Sequence, residues 1–132
     1  MEIKKTRIIT IFGAGGDRDK TKRPKMAKAA AKYSDYVIIT SDNPRTEDPD
    51  QILKDIEAGM IEAGFPQERY CIIADRERAI AGAIEMTEKD DIVLIAGKGH
   101  EDYQIIGSVK HHFDDREVAR KYIKAKQGES DE

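Results

Sequence analysis

The sequence predicts an α/β fold: a Rossmann-like, doubly wound, mostly parallel sheet with helices on both faces and a β-hairpin towards the C-terminus. Three observations predict it. Short runs rich in β-branched residues recur four times, as RIITIF (7–12), YVIIT (36–40), YCIIA (70–74) and DIVLIA (91–96). They are nearly continuous rather than alternating, as in strands covered on both faces. Helical spacing separates them, and strand–helix repetition of this kind builds a parallel sheet.

The elements follow in order. After the first strand comes GAGGDRD, then a helix over about 24–32 rich in alanine and lysine. After the second strand, Asp48 can cap a helix whose first position suits Pro49, and Gln51 has capping-box spacing. Ile52, Ile56 and Met60 share a face there, and Gly64 followed by Pro66 marks the stop. A third helix starts near Asp75, with Ile80, Ala83, Ile84 and Thr87 along one side. The segment YQIIGSVKHHF (103–113) reads as a hairpin turning at Gly107-Ser108. A last helix starts at Asp114, where Glu117 repeats the capping-box spacing and Val118, Tyr122 and Ile123 face inward. Residues 127–132 are expected to fray. Residues 1–132 form one domain, with no repeat or low-complexity segment.

The bulk numbers exclude some classes. Of 132 residues, 39% are hydrophobic and 37% charged, and the net charge is −3. Interleaved signs argue against a nucleic-acid partner or an anionic membrane. No apolar run approaches the roughly 20 residues of a membrane span. The single cysteine, Cys71, precludes an internal disulfide and reads as a buried free thiol suited to the reducing cytoplasm.

In open α/β sheets, ligands bind beyond the carboxyl ends of the strands. Three polar segments that gather charge and glycine fall there: GAGGDRDKTKRP, SDNPR and AGKGHEDYQ. The glycines at 13, 15 and 16 suit either backbone approach to an anion or a flexible turn. The dinucleotide pattern G-x-G-x-x-G fails, because position 18 is Arg. Arg18, Lys20, Lys22 and Arg23 suit phosphates or carboxylates, or form a solvated basic patch. In SDNPR, Pro44 stiffens the backbone, Asn43 offers donor and acceptor, and Arg45 offers a planar fork for a carboxylate; a simple turn is the alternative. In GKGHE, Gly97 and Gly99 permit tight backbone and Glu101 suits an ammonium group. His100 reads as a base, a metal ligand or a scaffold piece. No P-loop spacing occurs, no Cys/His cluster has metal spacing, and no nucleophile–base arrangement stands out. Arg18, Arg45 and Glu101 together suit a zwitterionic amino acid with an extra carboxylate.

Four segments, FGAGGDRDKTKRPKM, TSDNPRTEDP, AGKGHEDYQ and HFDDREVAR, resemble in order the C-terminal domain of the Mur ligases, over residues 7–124. Asp42-Asn43-Pro44-Arg45 is similar to the motif of members that select meso-diaminopimelate over lysine. The resemblance implies that Arg18, Asn43, Arg45, Gly97 and Glu101 bind this amino acid, with Asp42 and Pro44 in the same motif and Arg45 on the distal carboxylate. It places Asp19, Lys20 and Lys22 in a region facing ATP phosphates. It implies a peptidoglycan-precursor ligase that adds meso-diaminopimelate to UDP-MurNAc-L-Ala-D-Glu, using ATP and Mg2+. The family's N-terminal UDP-binding domain and central ATPase domain, the implied partners, are not legible in these residues. The domain alone is therefore expected to carry no catalytic residue, cofactor or metal, and not to act as a ligase. The alternative is a stand-alone amino-acid-binding or regulatory module of the same fold.

Overall fold

Alternating strands and helices wind the chain in two directions. The computed structural model describes residues 6–98 and 101–131. Four parallel strands, β1 (Ile8–Phe12), β2 (Tyr36–Ile39), β3 (Tyr70–Ile72) and β4 (Ile92–Ile95), lie in the order β3-β2-β1-β4. Helices α1 (Lys22–Tyr33) and α2 (Pro49–Glu62) carry the chain from β1 to β3. Right-handed crossovers put both on one face. Helix α3 (Arg76–Met86) returns past β1 to β4 on the other face, where α4 (Asp115–Asp131) packs beside it. Strands β5 (Tyr103–Ile106) and β6 (Val109–His112) form a separate antiparallel hairpin.

The core divides by strand alternation. Phe12, Val37 and Ile39 meet Ala27, Ile52, Ile56 and Met60. Ile9, Ile11 and Ile38 meet Ala79, Ile80, Ala83 and Ile84 on the opposite face. The expectation of strands covered on both faces holds for β1 and β2 but not for β4. There Ile92 and Leu94 are 52% and 53% exposed, because β4 is the sheet edge and α1 does not reach over it.

Helix ends follow the sequence with local corrections. Asp48 caps α2 by accepting from the Asp50 N–H at 3.0 Å, with Pro49 at the first position. Gln51 does not close a capping box; it donates to Asp55 at 2.9 Å. Gly64 ends α2, its N–H bonded to the Ile61 carbonyl and that of Phe65 to Met60. Asp75 caps α3. At α4, Asp114 accepts from the Arg116 N–H, while Glu117 turns to His112 instead of completing the box. Ile123 is 42% exposed rather than inward, since α4 packs chiefly against α3. The backbone is helical to Asp131, through the stretch from 127 where fraying was expected. Cys71 is a free thiol but only half-buried, because β3 is the other edge strand.

The strand order reverses between β1 and β4, so the loops after β1, β2 and β4 converge there. Three buried cations hold these loops. Arg23 donates to Glu47 (2.7 and 2.8 Å), Asp55 (2.9 Å) and the Gly15 carbonyl (3.1 Å). Arg76 bonds both Asp115 oxygens (2.7 and 2.8 Å) and reaches the carbonyls of Ser41 and Ala96, the ends of β2 and β4. Lys98 donates to the Tyr103 carbonyl (2.7 Å) and to Asn43 Oδ1 (3.3 Å). Its ammonium also lies 3.0 Å from Asp42 Oδ1, an ion pair without hydrogen-bond alignment. The hairpin therefore docks through Lys98 and Asn43.

The Glu47 carboxyl is held down to about 2, chiefly by the hydrogen bond from Arg23. A carboxyl depressed on folding stabilises fully above its ordinary value, here 4.5, and loses that effect as the pH falls through about 2. Urea unfolding should thus show Glu47→Gln less stable than the parent at pH 7, with the gap closing as the pH falls from about 4.5 to about 2. Lys98→Met should cost about 3 kcal/mol, the usual size for stranding one partner of a buried pair. Amide exchange would locate the loss: the Ile105 N–H should exchange much faster than that of Ile11, and equal effects would mean that Lys98 does not hold the hairpin.

Candidate functional site

The loops at the reversal point enclose a cavity of about 650 Å³. Its walls are made by the glycine loop after β1, the SDNPR loop after β2 and the loop after β4. Gly16 brings the first two together. Its N–H donates to the Asn43 carbonyl at 2.7 Å, and a Cβ there would collide with the Pro44 carbonyl. This glycine serves backbone-to-backbone contact, so its N–H is not free for an anion.

Arg45 has φ 53°, a left-handed conformation that costs a non-glycine residue on the order of 1 kcal/mol. The hairpin holds it there: the Arg45 N–H donates to the Ile105 carbonyl at 3.0 Å, and the Gly107 N–H donates to the Arg45 carbonyl at 2.6 Å. The Arg45 guanidinium donates to the Gly16 carbonyl at 3.1 Å. It pairs with no carboxylate among the described residues, and neither does Arg18, which is exposed on the same cavity. Two guanidinium groups thus border one space, neither of them ion-paired among the described residues.

Asn43 is 2% exposed. Its Oδ1 accepts from the Ile105 N–H at 2.9 Å and from Lys98. These two donors orient the amide, and Nδ2 remains without a partner among the described residues. Asn43 therefore offers the cavity a donor rather than the donor and acceptor read from the sequence. Glu101 and Gly97 also line the cavity, Gly97 with φ 114° at the exit from β4. Glu101 Oε2 accepts from the Tyr103 hydroxyl at 3.1 Å, and this bond raises the pKa of the phenol. The site holds guanidinium and amide donors together with a carboxylate that is set by a neighbouring phenol.

The other sequence-derived candidates divide. Asp42 lines the cavity but is paired with Lys98. Pro44 borders a neighbouring cavity of about 500 Å³ with Ser41 and Gln104. Asp19 and Lys22 line the main cavity, and hydrogen bonds from the Thr21 hydroxyl and N–H hold the Asp19 carboxyl below its usual range. Lys20 does not line it; its side chain is 65% exposed and 4.0 Å from Glu47. Arg23 leaves the basic patch for its buried network. His112 pairs with Glu117 at 2.8 Å, which raises the imidazole pKa. Among the described residues no three His, Cys, Asp or Glu gather as a metal site. Gly99 and His100 lie outside the described residues.

Sequence reasoning missed Lys98 and Tyr103 as organisers of the site. Both sit in the AGKGHEDYQ segment, but the Asn43 and Asp42 partners of Lys98 lie more than fifty residues away in the chain. A lysine flanked by two glycines at a strand end was the one available signal.

The chain is similar to known proteins over most of its length. The family described as "Mur ligase, glutamate ligase domain" matches residues 1–99. The UDP-N-acetylmuramoyl-L-alanyl-D-glutamate–2,6-diaminopimelate ligase of Clostridioides difficile (strain 630) is 60% identical over 117 residues, covering 89% of this chain and 24% of that one. The ligase of the same name from Fusobacterium nucleatum is 60% identical over 118 residues, with 89% and 24% covered. A solved structure of a UDP-N-acetylmuramoyl-L-alanyl-D-glutamate–2,6-diaminopimelate ligase superposes with a TM-score of 0.86 at 47% identity, over 93% of this chain and 25% of that one. The chain spans about a quarter of the length of these relatives. With the same α/β architecture and a family match over most of its length, the chain belongs to the Mur ligase family, in which it corresponds to the C-terminal, glutamate ligase domain.

Proposed function

We propose that this domain binds meso-diaminopimelate and presents its amine for addition to UDP-MurNAc-L-Ala-D-Glu in peptidoglycan-precursor synthesis. The observation that carries the reading is the pairing of Arg18 and Arg45, free of carboxylates among the described residues, with Glu101 across one cavity. Diaminopimelate has a second amino-acid centre that ends in a carboxylate. Lysine has an amine there and no carboxylate. A site with an arginine aimed at that carboxylate rejects lysine by leaving the charge unpaired. Glu101 suits an ammonium group, and the free Asn43 donor suits a carboxylate. The printed names of the relatives, which include 2,6-diaminopimelate, support the same amino acid.

In this reading the residues supply positioning, which turns attack by the amine into an effectively intramolecular step. They do not supply activation, since the 132 residues contain no P-loop spacing. ATP and Mg2+ would act in the complete ligase by activating the acyl group. Lys22, in the first turn of α1, lines the same cavity, and its ammonium suits a nucleotide phosphate. Asp19 fits less well, as Thr21 already occupies its carboxylate. The working partners are then the UDP-binding and ATPase domains of such a ligase, in the cytoplasm. Among the described residues no helix is long and apolar enough to cross a membrane.

An NMR titration of the 132-residue chain tests the assignment. With meso-diaminopimelate, resonances of Arg18, Asn43, Arg45 and Glu101 should shift, and L-lysine at equal concentration should leave them in place. Arg45→Ala should erase the difference between the two amino acids, an effect of tenfold or more in Kd, about 1.4 kcal/mol per decade. Discrimination that survives this substitution would remove Arg45 from the role.

A further inference from the structure

Three residues other than glycine have left-handed backbone among the described residues: Asp17 (φ 56°), Arg45 (φ 53°) and Asp90 (φ 76°). Asp90 lies in the turn that leads into β4. The other two belong to loops that are bonded to each other at this point. Strained backbone persists only where the surroundings over-determine it, and it gathers at functional sites. Asp17 precedes Arg18 in the chain, and Thr46 follows Arg45. Asp17 Oδ2 accepts from the Thr46 hydroxyl at 2.7 Å and from the Thr46 N–H at 3.2 Å. The Asp17 N–H donates to Glu47 Oε1 at 3.1 Å, and Glu47 is itself held by the buried Arg23. A carboxylate in an ordinary turn bonds the backbone two residues on, as Asp19 does with Thr21. Asp17 instead reaches 29 residues along the chain. Neither Asp17 nor Thr46 lines the cavity, so direct contact with a ligand does not account for the pair.

We propose that Asp17 and Thr46 are positioning residues whose contact fixes the spacing between Arg18 and Arg45, so that one amino-acid ligand meets both guanidinium groups together. This rests on the proposed binding of meso-diaminopimelate at the cavity. Each arginine is one residue from the contact, so its backbone moves with it. Up to Asp17 the glycine loop is tied to groups outside itself: the Gly15 carbonyl to Arg23, the Gly16 N–H to the Asn43 carbonyl, and the Gly16 carbonyl to Arg45. Past Asp17 its hydrogen bonds are local, from Thr21 to the Asp19 carboxylate and from the Lys22 N–H to the Asp19 carbonyl. Asp17 is thus the last tethered point before Arg18 reaches the cavity. Arg18 is exposed and has no ion pair among the described residues to fix its place. Moving it away from Arg45 breaks two hydrogen bonds to one carboxylate oxygen, of the strong charge-assisted kind. A misplacement of about 1 Å in a positioning group can cost on the order of a hundredfold in rate, so a tether of this strength has a functional consequence.

The experiment compares three variants of the 132-residue chain with the parent. Asp17→Gly removes the carboxylate and adopts a positive φ without strain, so the fold is kept. Thr46→Val keeps the shape and the backbone N–H but removes the hydroxyl. Asp17→Asn keeps an acceptor oxygen on a residue that tolerates left-handed backbone. The first measurement needs no ligand. The 15N-relaxation order parameter at Arg18 should be about 0.85 in the parent and below about 0.6 in Asp17→Gly. Thr46→Val should lower it in the same direction, and Ile11 should not change in either. Unchanged order at Arg18 in both variants would overturn the proposal. The second measurement is the Kd for meso-diaminopimelate by calorimetry. Asp17→Gly should weaken it at least about tenfold, and adding Thr46→Val should weaken it no further, since both break one contact. Asp17→Asn should restore affinity to within about twofold of the parent. Parental affinity in Asp17→Gly would also overturn the proposal, as would an Asp17→Asn chain as weak as Asp17→Gly, since charge rather than the contact would then act. A parent that binds no meso-diaminopimelate would instead refute the amino-acid reading, and the order parameters would then decide whether the contact holds Arg18.

Discussion

The ammonium of Lys98 is the contact on which the site depends. It is almost completely buried and joins Asp42, Asn43 and the Tyr103 carbonyl, which belong to a strand-end loop and to the start of the hairpin. With Lys98 in place, the Asn43 amide has one orientation and receives the Ile105 N–H. With Ile105 fixed, the hairpin holds Arg45 in a left-handed conformation that an arginine does not adopt by itself. The placement of Arg45 at the cavity thus follows from a lysine buried behind it.

Arg23 and Arg76 repeat the device elsewhere. Each is 1% exposed, and each ties a loop at the carboxyl edge of the sheet to a helix. Burying a charge is costly unless it is paired and hydrogen-bonded. Arg23 meets that condition with two carboxylates, and Arg76 with a two-oxygen contact to Asp115. A buried cation with several fixed acceptors tolerates little displacement of any of them. The glycine-bearing loops around the cavity are thereby held at a fixed spacing by buried cations behind them.

The α1 face shows the opposite condition. Around β1 and β2 the apolar side chains are enclosed, whereas at β4 the same strand pattern meets solvent. Edge strands with exposed apolar residues and unpaired backbone invite pairing with other chains. The run DIVLIA reads like a central strand because its composition belongs to one, and the exposure arises from what lies beside it.

The order of strands and helices, the face of α2 carrying Ile52, Ile56 and Met60, and the caps at Asp48 and Asp75 were legible in the sequence, because each depends on residues within a few positions of one another. The grouping of Arg18, Asn43, Arg45 and Glu101 at one edge was legible as well, since parallel strands deliver every following loop to the same side of the sheet. Only the tertiary structure decided which charges are free. Arg23 and Arg18 are five residues apart, alike in sequence and on the same cavity, but one is consumed by Glu47 and Asp55 while the other pairs with no carboxylate among the described residues. Lys20 and Lys22 part in the same way. Pairing between charges depends on distances across the fold between residues remote in the chain, and local pattern carries no record of those distances.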